Sequence, residues 1–335
     1  MAPPRDINLS FFMFTANLQP GNADYAKTLI AHAKAMLELG YEGFDLPIAA
    51  QQTSDHRAEV DDYRRLKAAF DEAGLEGVRF TTNVGTTRSF DPTSPYGEQR
   101  KSALAYLKSR VEITHVLGGA SIMAGPFLFP YGVFPTTDAG DNLWSDALQA
   151  WLAPRYKHAR PVFDELGDFA EGLGVKLAIE PVDHWETPAP NTVSDVLDFL
   201  TGVGPKQVGA TIDTAHVVLG STGPETFRQT VADAAAQGRL NYVHISPPDR
   251  GALKDSWLPW ETMMPVFLPA YQGPFLVEVF NAIPPFVSLM RLSRRKFWIP
   301  GEDAPEPGLP SAYDVARDGL AMLQAQIERF SPAAA

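Results

Sequence analysis

The sequence contains no cysteine, is poor in basic residues and has no long apolar run. The lack of cysteine excludes disulfides and thiolate metal sites, so any bound metal needs oxygen and nitrogen ligands. Against 40 acidic residues there are only 28 lysines and arginines, and the formal net charge is −12. Because nucleic-acid binding needs a basic face, we expect no nucleic-acid partner. The apolar stretch 9–14 is too short for a signal core or a membrane span, so we expect a cytoplasmic protein without membrane contact.

Short apolar strands alternate with helical patterns along the 335 residues. The predicted strands are 7–14, 43–47, 78–84, 120–124, 175–180, 208–213, 240–245 and 275–280. The predicted helices are 25–39, 56–73, 96–117, 143–173 with interruptions, 193–200, 225–237, 260–268 and 311–330. Repeated strand–helix units form a parallel sheet, and eight of them favour a closed barrel over an open sheet. We therefore predict an α/β protein with a single (β/α)8 or TIM barrel domain spanning 1–335.

Two segments depart from the regular repeat and predict extended loops after strands 4 and 8. Residues 125–142 are rich in proline, glycine and aromatics, and residues 284–310 include the basic cluster Arg291, Arg294, Arg295 and Lys296. Both leave the carboxyl ends of strands, the face on which barrel enzymes build their active sites. They fit active-site walls or an oligomer contact, and equally well a surface excursion. The basic cluster fits a phosphate site or, more commonly, a solvated or interface face.

Four ionisable residues stand at or near the ends of successive strands. They are Glu180, Asp213, His244 and Glu278, and their separations of 33, 31 and 34 residues each equal one strand–helix unit. Residues at equivalent heights in a closed barrel converge on its axis. Three carboxylates meeting there would repel one another and raise the pKa of at least one of them, unless a cation compensates. The set predicts one divalent ion, Mn²⁺ first and Co²⁺ or Mg²⁺ next, although each residue alone fits a capped strand end.

Further polar residues lie on the loops at the same face. Glu186 follows Glu180 by six positions, His216 follows Asp213 by three, and Arg250 follows the strand that carries His244. Together they offer the hydrogen-bond donors and acceptors that a polyhydroxylated ligand requires, whereas Glu186 or Arg250 alone fits a solvated loop charge. We also expect Asp45 and Asn83, near the ends of strands 2 and 3, to face the mouth of the barrel or to be structural.

These motifs resemble the xylose isomerase-like barrel superfamily and, within it, the ketose 3-epimerases that act on D-tagatose and D-allulose. In that family a Glu, an Asp, a His and a Glu bind one Mn²⁺ or Co²⁺, which matches Glu180, Asp213, His244 and Glu278. The family's Glu six after the first ligand, His three after the Asp and Arg six after the metal-binding His match Glu186, His216 and Arg250. The resemblance extends to 37–44, 89–92, 116–120 and 124–126.

The resemblance implies a metal-dependent isomerase that epimerises C3 of a sugar hydroxyketone through an enediolate. Glu180 and Glu278 would exchange the proton on opposite faces of the substrate, with the metal stabilising the developing charge. His216 and Arg250 would hold oxygens near C1 and C2, and Glu186 would orient one of them. We expect a homo-oligomer, a dimer or a tetramer.

The reaction has an alternative with the same metal site. A substrate with a leaving group β to the carbanion would undergo elimination, as in inosose dehydratases or the catalytic subunits of C-glycoside deglycosidases, and the protein would then form a hetero-oligomer. A repair endonuclease of the same barrel class disagrees with the acidic charge and the 7 histidines. A non-catalytic sugar-binding protein with the same barrel is a further alternative. The sequence does not identify the sugar or the metal.

Overall fold

Eight parallel strands form a closed barrel in which each strand pairs with its neighbours in chain order. The computed structural model describes residues 5–15, 18–48, 54–220, 223–281 and 297–331. The ring closes where the last strand pairs with the first, with Ile7 opposite Phe275. The predicted TIM barrel is therefore confirmed. Its strands are β1 Ile7–Ser10, β2 Gly43–Ile48, β3 Arg79–Val84, β4 Ile122–Gly125, β5 Lys176–Ile179, β6 Val208–Asp213, β7 Leu240–Ile245 and β8 Phe275–Val277.

The described helices follow the strands. They are α1 Ala23–Leu39, α2 His56–Glu72, α3 Gly97–Gly118, α4 Ser145–Gly172, α5 Val193–Leu200, α6 Thr214–Gly220, α7 Pro224–Ala236, α8 Trp260–Ala270 and α9 Ala312–Phe330. Short 3-10 helices lie at Phe11–Met13, Arg88–Phe90 and Leu253–Asp255. Helices α5 and α9 begin with capping boxes, in which the side chain of Thr192 or Ser311 and a carboxylate three residues later satisfy the free N–H groups of the first turn.

The apolar core lies between the barrel and the surrounding helices. Phe70 of α2 stacks on Phe80 of β3 with ring centroids 5.2 Å apart, and Phe80 lies 6.1 Å from Phe44 of β2. Successive side chains of a strand point to opposite faces, so the outward residues pack on helices while their neighbours face the axis. Several axial residues are polar yet buried, among them Asp45 and His244. The packed outer layer thus holds a polar barrel interior in place.

Several predicted boundaries were wrong. Strand β1 ends at Ser10 rather than at residue 14, because the Ser10 hydroxyl accepts a hydrogen bond from Phe12 N–H and starts a 3-10 turn. Strand β8 ends at Val277 rather than at residue 280. Helix α4 continues through Pro154 and Pro161 without the predicted interruptions. The short helix α6, which begins directly after β6, was not predicted.

The two irregular segments differ in how much of them is described. Residues 126–144, between β4 and α4, contain one isolated antiparallel bridge, Thr136 to Asn142, and otherwise turns and bends. Residues 282–296, with the predicted basic cluster Arg291, Arg294, Arg295 and Lys296, lie outside the described residues. Within the described part of the chain, no helix has the length and apolar character needed to cross a bilayer.

Candidate metal centre

The side chains of Glu180, Asp213, His244 and Glu278 meet at the carboxyl end of the barrel. One potential ligand atom from each lies within 4.8 Å of the others, and all four residues are buried. His244 Nδ1 lies 3.4 Å from Glu180 Oε1 and 3.7 Å from Glu278 Oε1. The same nitrogen lies 3.9 Å from Asp213 Oδ2. The convergence that we predicted from the spacing is therefore present in the structure.

Backbone contacts set the position of each carboxylate. Asp213 is the last residue of β6, and its Oδ1 accepts hydrogen bonds from the N–H groups of Ala215 and His216 at 2.6 and 3.3 Å. This cap starts helix α6 and directs Oδ2 towards His244. The N–H of Glu180 donates to Gly125 O at 3.0 Å, and that of Glu278 donates to the carbonyl of the neighbouring β7 at 3.0 Å. The strand ladder thus brings the side chains to one height.

The chain packs closely at Gly125, beside Glu180. Its φ of +119° is in the region that favours glycine, and a Cβ there would lie 2.4 Å from Val84 O. No side chain fits that gap without movement of β3. The requirement for glycine therefore comes from the close approach of two strands next to the site.

The cluster carries more negative charge than its own basic groups balance. Burial, followed by the charges of Asp213 and Glu180, raises the pKa of Glu278 well above its ordinary value. Burial alone would raise the pKa of Asp213 too, but the charges of Arg250 and His216 bring it below its usual range. Ionisation of Glu278 is therefore unfavourable when no cation is present, the electrostatic conflict expected from the sequence.

The donor set fits a divalent cation. His244 Nδ1 is buried and has no hydrogen-bond partner in the part of the chain that the structure describes, although three carboxylate oxygens face it. Its distances of 3.4 to 3.9 Å to those oxygens exceed ordinary hydrogen bonds. Two ligands at about 2.1 Å from an ion are about 3.0 to 3.4 Å apart for octahedral or tetrahedral angles, so a small contraction completes the shell. Three oxygens and one imidazole nitrogen suit Mn²⁺, Co²⁺ or Mg²⁺.

Arg250 and His216 border the cluster, as the sequence predicted. Arg250 Nη1 donates to Asp213 Oδ2 at 2.9 Å and to Glu278 Oε2 at 3.2 Å. Its Nη2 lies 2.8 Å from His216 Nε2. Arg250 has a φ of +57°, uncommon for a residue with a side chain, and its guanidinium lies 5.0 Å from the centre of the Phe280 ring. Phe280 was not predicted to contribute here.

Glu186 joins the site through a second acidic group that includes a residue the sequence reasoning missed. His216 Nδ1 lies 3.1 Å from Asp183 Oδ2 and 3.6 Å from Glu186 Oε2. The hydroxyl of Tyr131 donates to Glu186 Oε1 at 2.9 Å, and Gly132 N–H donates to the Glu186 carbonyl at 2.7 Å. The loop after β4 therefore holds the loop after β5. In the sequence, the position of Asp183 three residues before Glu186 was the signal that could have indicated its place in this group.

Comparison with known proteins agrees with this geometry. A crystal structure from Anabaena variabilis, described as a candidate sugar phosphate isomerase/epimerase, is 51% identical with a TM-score of 0.93, covering 98% of this chain and 100% of that chain. A ketose 3-epimerase of Arthrobacter globiformis is 26% identical over 245 residues, 72% of this chain and 77% of the relative. A D-allulose 3-epimerase of Methylomonas sp., solved with D-allulose, has 21% identity and a TM-score of 0.72, covering 97% and 99% of the two chains, and shows the same fold. Residues 33–301 match the xylose isomerase-like TIM barrel family, and the chain belongs to that family.

Proposed function

We propose that this protein is a metal-dependent ketose 3-epimerase, which inverts the configuration at C3 of a sugar hydroxyketone. The observation that carries the proposal is the buried meeting of Glu180, Asp213, His244 and Glu278 at the face where barrel enzymes act. The homology to ketose 3-epimerases supports the isomerase class. Mn²⁺ is the proposed metal, with Co²⁺ or Mg²⁺ as alternatives.

In this proposal the four residues hold one divalent ion. When bound, such an ion supplies Lewis acidity, which makes the hydrogen next to a ketose carbonyl more acidic. Asp213 and His244 serve as ligands. Glu180 and Glu278 are ligands that also reach the reacting carbon from β5 and β8. One carboxylate takes the C3 proton, which leaves an enediolate, and the other carboxyl returns a proton to the opposite face, so that C3 is inverted.

The neighbouring polar residues bind the sugar. Arg250 and His216 hold the substrate oxygens at C1 and C2, since the Arg250 guanidinium and His216 Nε2 meet, 2.8 Å apart, at the edge of the cluster. Glu186 accepts a hydrogen bond from a sugar hydroxyl, and Tyr131 keeps its carboxylate in place. Burial of these groups makes their hydrogen bonds selective, because a ligand that lacks a matching hydroxyl leaves a polar atom unpaired.

Elimination from a glycoside is the second candidate, and a specific feature favours it. Exposed Trp144 and Trp185 border a cavity of about 320 Å³ beside the Glu186 loop. Phe134, Leu143 and Pro188 also line this cavity. An apolar wall of this kind suits an aglycone, which a free ketose lacks.

Product analysis separates the two reactions. The Mn²⁺-loaded protein is incubated with D-fructose or with a 3-keto-glycoside in D2O, and products are resolved by chromatography and NMR. The proposal predicts the C3 epimer with deuterium at C3, and loss of turnover after chelation. Release of an aglycone from the glycoside with no epimer of fructose would instead support the lyase.

Substitution tests the two-carboxylate scheme. Glu180→Gln and Glu278→Gln are each expected to lower kcat by at least about 100-fold, the usual range for a general acid or base. Glu98→Gln, on the exposed surface of α3, is the matched control and should keep full activity. Wild-type turnover with normal metal content in both active-site variants would rule the scheme out.

The assembly is part of the proposal. We infer that residues 1–335 form one domain and that copies of the chain associate as a dimer or tetramer. Sedimentation of the purified protein tests the oligomer. Unfolding in urea tests the domain count, and a single transition is expected for one domain. A monomer at all concentrations would contradict the oligomer.

A further inference from the structure

Beneath the candidate metal centre, a chain of buried polar side chains crosses the barrel interior. Thr81 Oγ1 donates to Asp45 Oδ1 at 2.6 Å and lies 3.0 Å from the Tyr242 hydroxyl. Asn8 Nδ2 donates to the same hydroxyl at 3.4 Å. All four residues are 4% exposed or less. The sequence left Asp45 either at the barrel mouth or in a structural role, because strand alternation predicts the face of a residue but not its height. Its side chain is fully buried and hydrogen-bonded within the interior.

The hydrogen bonds in this chain run in one direction. Thr81 has a single hydroxyl proton, and it goes to Asp45, so Thr81 accepts from Tyr242. The Tyr242 oxygen in turn accepts from an amide N–H of Asn8. Every donor therefore points towards Asp45, which acts as the terminal acceptor. Burial raises the pKa of Asp45 to about 6, with the charge of His244 and the Thr81 hydrogen bond acting in the opposite direction.

Two buried atoms near the end of this chain lack any hydrogen-bond partner among the described residues. They are Asp45 Oδ2 and His244 Nε2. His244 Nδ1 faces the carboxylates of the centre, so a ring that offers its Nδ1 lone pair to a cation carries its proton on Nε2. One atom is thus an acceptor without a donor and the other a donor without an acceptor. Such pairs inside a protein are commonly joined by a buried water.

The surroundings bring these two residues into electrostatic contact. The Tyr242 ring, which belongs to the chain, lies edge-on to the His244 ring with centroids 4.7 Å apart and an angle of 86°. Among charged groups, His244 has the largest influence on Asp45. The two residues, both in the described part of the chain, make no ion pair within 4.0 Å. Two buried polar atoms of complementary character that make no direct bond to each other suit one bridging water.

We propose that Asp45 is a positioning residue for the metal centre, and that its Oδ2 accepts the Nε2–H of His244 through one buried water. This contact fixes the tautomer and the ring orientation, so that the Nδ1 lone pair faces the cation site. The chain through Thr81 and Tyr242 holds the carboxylate in place from below. The proposal rests on the proposed metal function, and it explains why the Asp45 carboxylate, which makes no ion pair with the other described residues, is buried in the barrel interior.

Metal affinity tests the role of Asp45. In Asp45→Asn the amide oxygen remains with the Thr81 hydroxyl, so the amide N–H₂ faces the water and no longer accepts from it. We expect the Mn²⁺ dissociation constant, measured by calorimetry or chelator competition, to rise about 10- to 100-fold. Thr81→Val, which loosens the carboxylate, should give a smaller rise in the same direction.

Thr82→Val is the matched control. Thr82 is the next residue on β3, equally buried, and its hydroxyl bonds to Thr114 at 2.7 Å, away from Asp45. The substitution removes one buried hydroxyl, as Thr81→Val does, and should leave the dissociation constant unchanged. If Asp45→Asn does not fold, the comparison of Thr81→Val with Thr82→Val still tests whether Asp45 positions the metal centre. Equal affinities in these two variants, or wild-type affinity in folded Asp45→Asn, would overturn the role of Asp45.

The tautomer gives a readout independent of metal binding. Imidazole ¹⁵N NMR of the metal-free protein at alkaline pH, with His244 assigned by His244→Gln, should show the proton on Nε2 in the wild type. In Asp45→Asn the fraction with Nε2–H should fall, and an unchanged ¹⁵N pattern contradicts the proposal. A wild-type protein with the Nε2–H tautomer but no affinity for divalent ions would instead show that the proposed function has failed while Asp45 still positions His244.

Discussion

The raised pKa of Glu278 predicts an unusual pH dependence of stability in the metal-free protein. In the unfolded chain this carboxyl ionises around its ordinary pKa of 4.5, whereas in the fold burial and two neighbouring carboxylates keep it protonated to higher pH. The folded state therefore binds one more proton than the unfolded state between those two pKa values. Its free energy of unfolding should fall by about 1.4 kcal/mol for each pH unit in that window from this group alone.

Glu278→Gln removes the proton exchange and keeps the shape of the neutral side chain. As the pH rises above 4.5, the metal-free variant should gain stability relative to the wild type, by about 1.4 kcal/mol for each pH unit up to the raised pKa of Glu278. Urea unfolding of chelator-treated protein at several pH values measures this difference. Glu98→Gln, at an 87% exposed side chain on α3, is the control. Its free energy of unfolding should change with pH as that of the wild type does.

Saturating Mn²⁺ should narrow the difference in stability between the two proteins. Wild-type Glu278 then gives up its proton to act as a ligand, and binding stabilises the fold by about 2.7 kcal/mol at a metal concentration 100 times the dissociation constant. The variant has lost a ligand and gains less. Parallel stability curves for wild type and Glu278→Gln in the metal-free state, from pH 5 to pH 7, would refute the electrostatic reasoning.

Three further substitutions test other parts of the structure. Glu59→Gln breaks the buried ion pair with Arg110 between α2 and α3 and should cost about 3 to 5 kcal/mol of unfolding free energy, measured in urea. Gly125→Ala forces a Cβ against β3 at a φ of +119°, and a loss of about 1 to 3 kcal/mol is expected; a neutral result would contradict the close approach. Arg250→Lys keeps the charge, but a lysine cannot reach two carboxylates and His216 together. We therefore expect kcat/KM to fall about 10-fold or more. Unchanged kinetics would contradict this role of Arg250.

The sequence predicted the barrel and the meeting of Glu180, Asp213, His244 and Glu278 because both depend on periodicity. From β5 to β8 one strand–helix unit recurs about every 33 residues, and a closed parallel barrel brings equivalent positions to a common end. Asp213 and His244 are paired residues of β6 and β7, so the strand ladder alone places them side by side. The local strand pattern was less informative about where each strand ends. Apolar Phe11 and Phe12 extended the predicted β1, although the Ser10 hydroxyl ends the strand there.

The residues that the sequence did not reveal act through contacts between distant segments. Tyr131 reaches Glu186 across two loops, and Phe280 lies against the Arg250 guanidinium. Helix α6 was missed because its seven residues give too short a pattern, and its start depends on a carboxylate that also belongs to the metal cluster. Neither spacing nor composition encodes such pairings, since they arise only when the barrel has closed.

Anomalous diffraction from crystals soaked in Mn²⁺ tests the metal centre most directly. We expect one strong peak with ligand atoms from Glu180, Asp213, His244 and Glu278 at about 2.0 to 2.3 Å. A peak among Asp183, Glu186 and His216, which form the other acidic group of the described residues, or no peak at saturating Mn²⁺, would contradict the assignment.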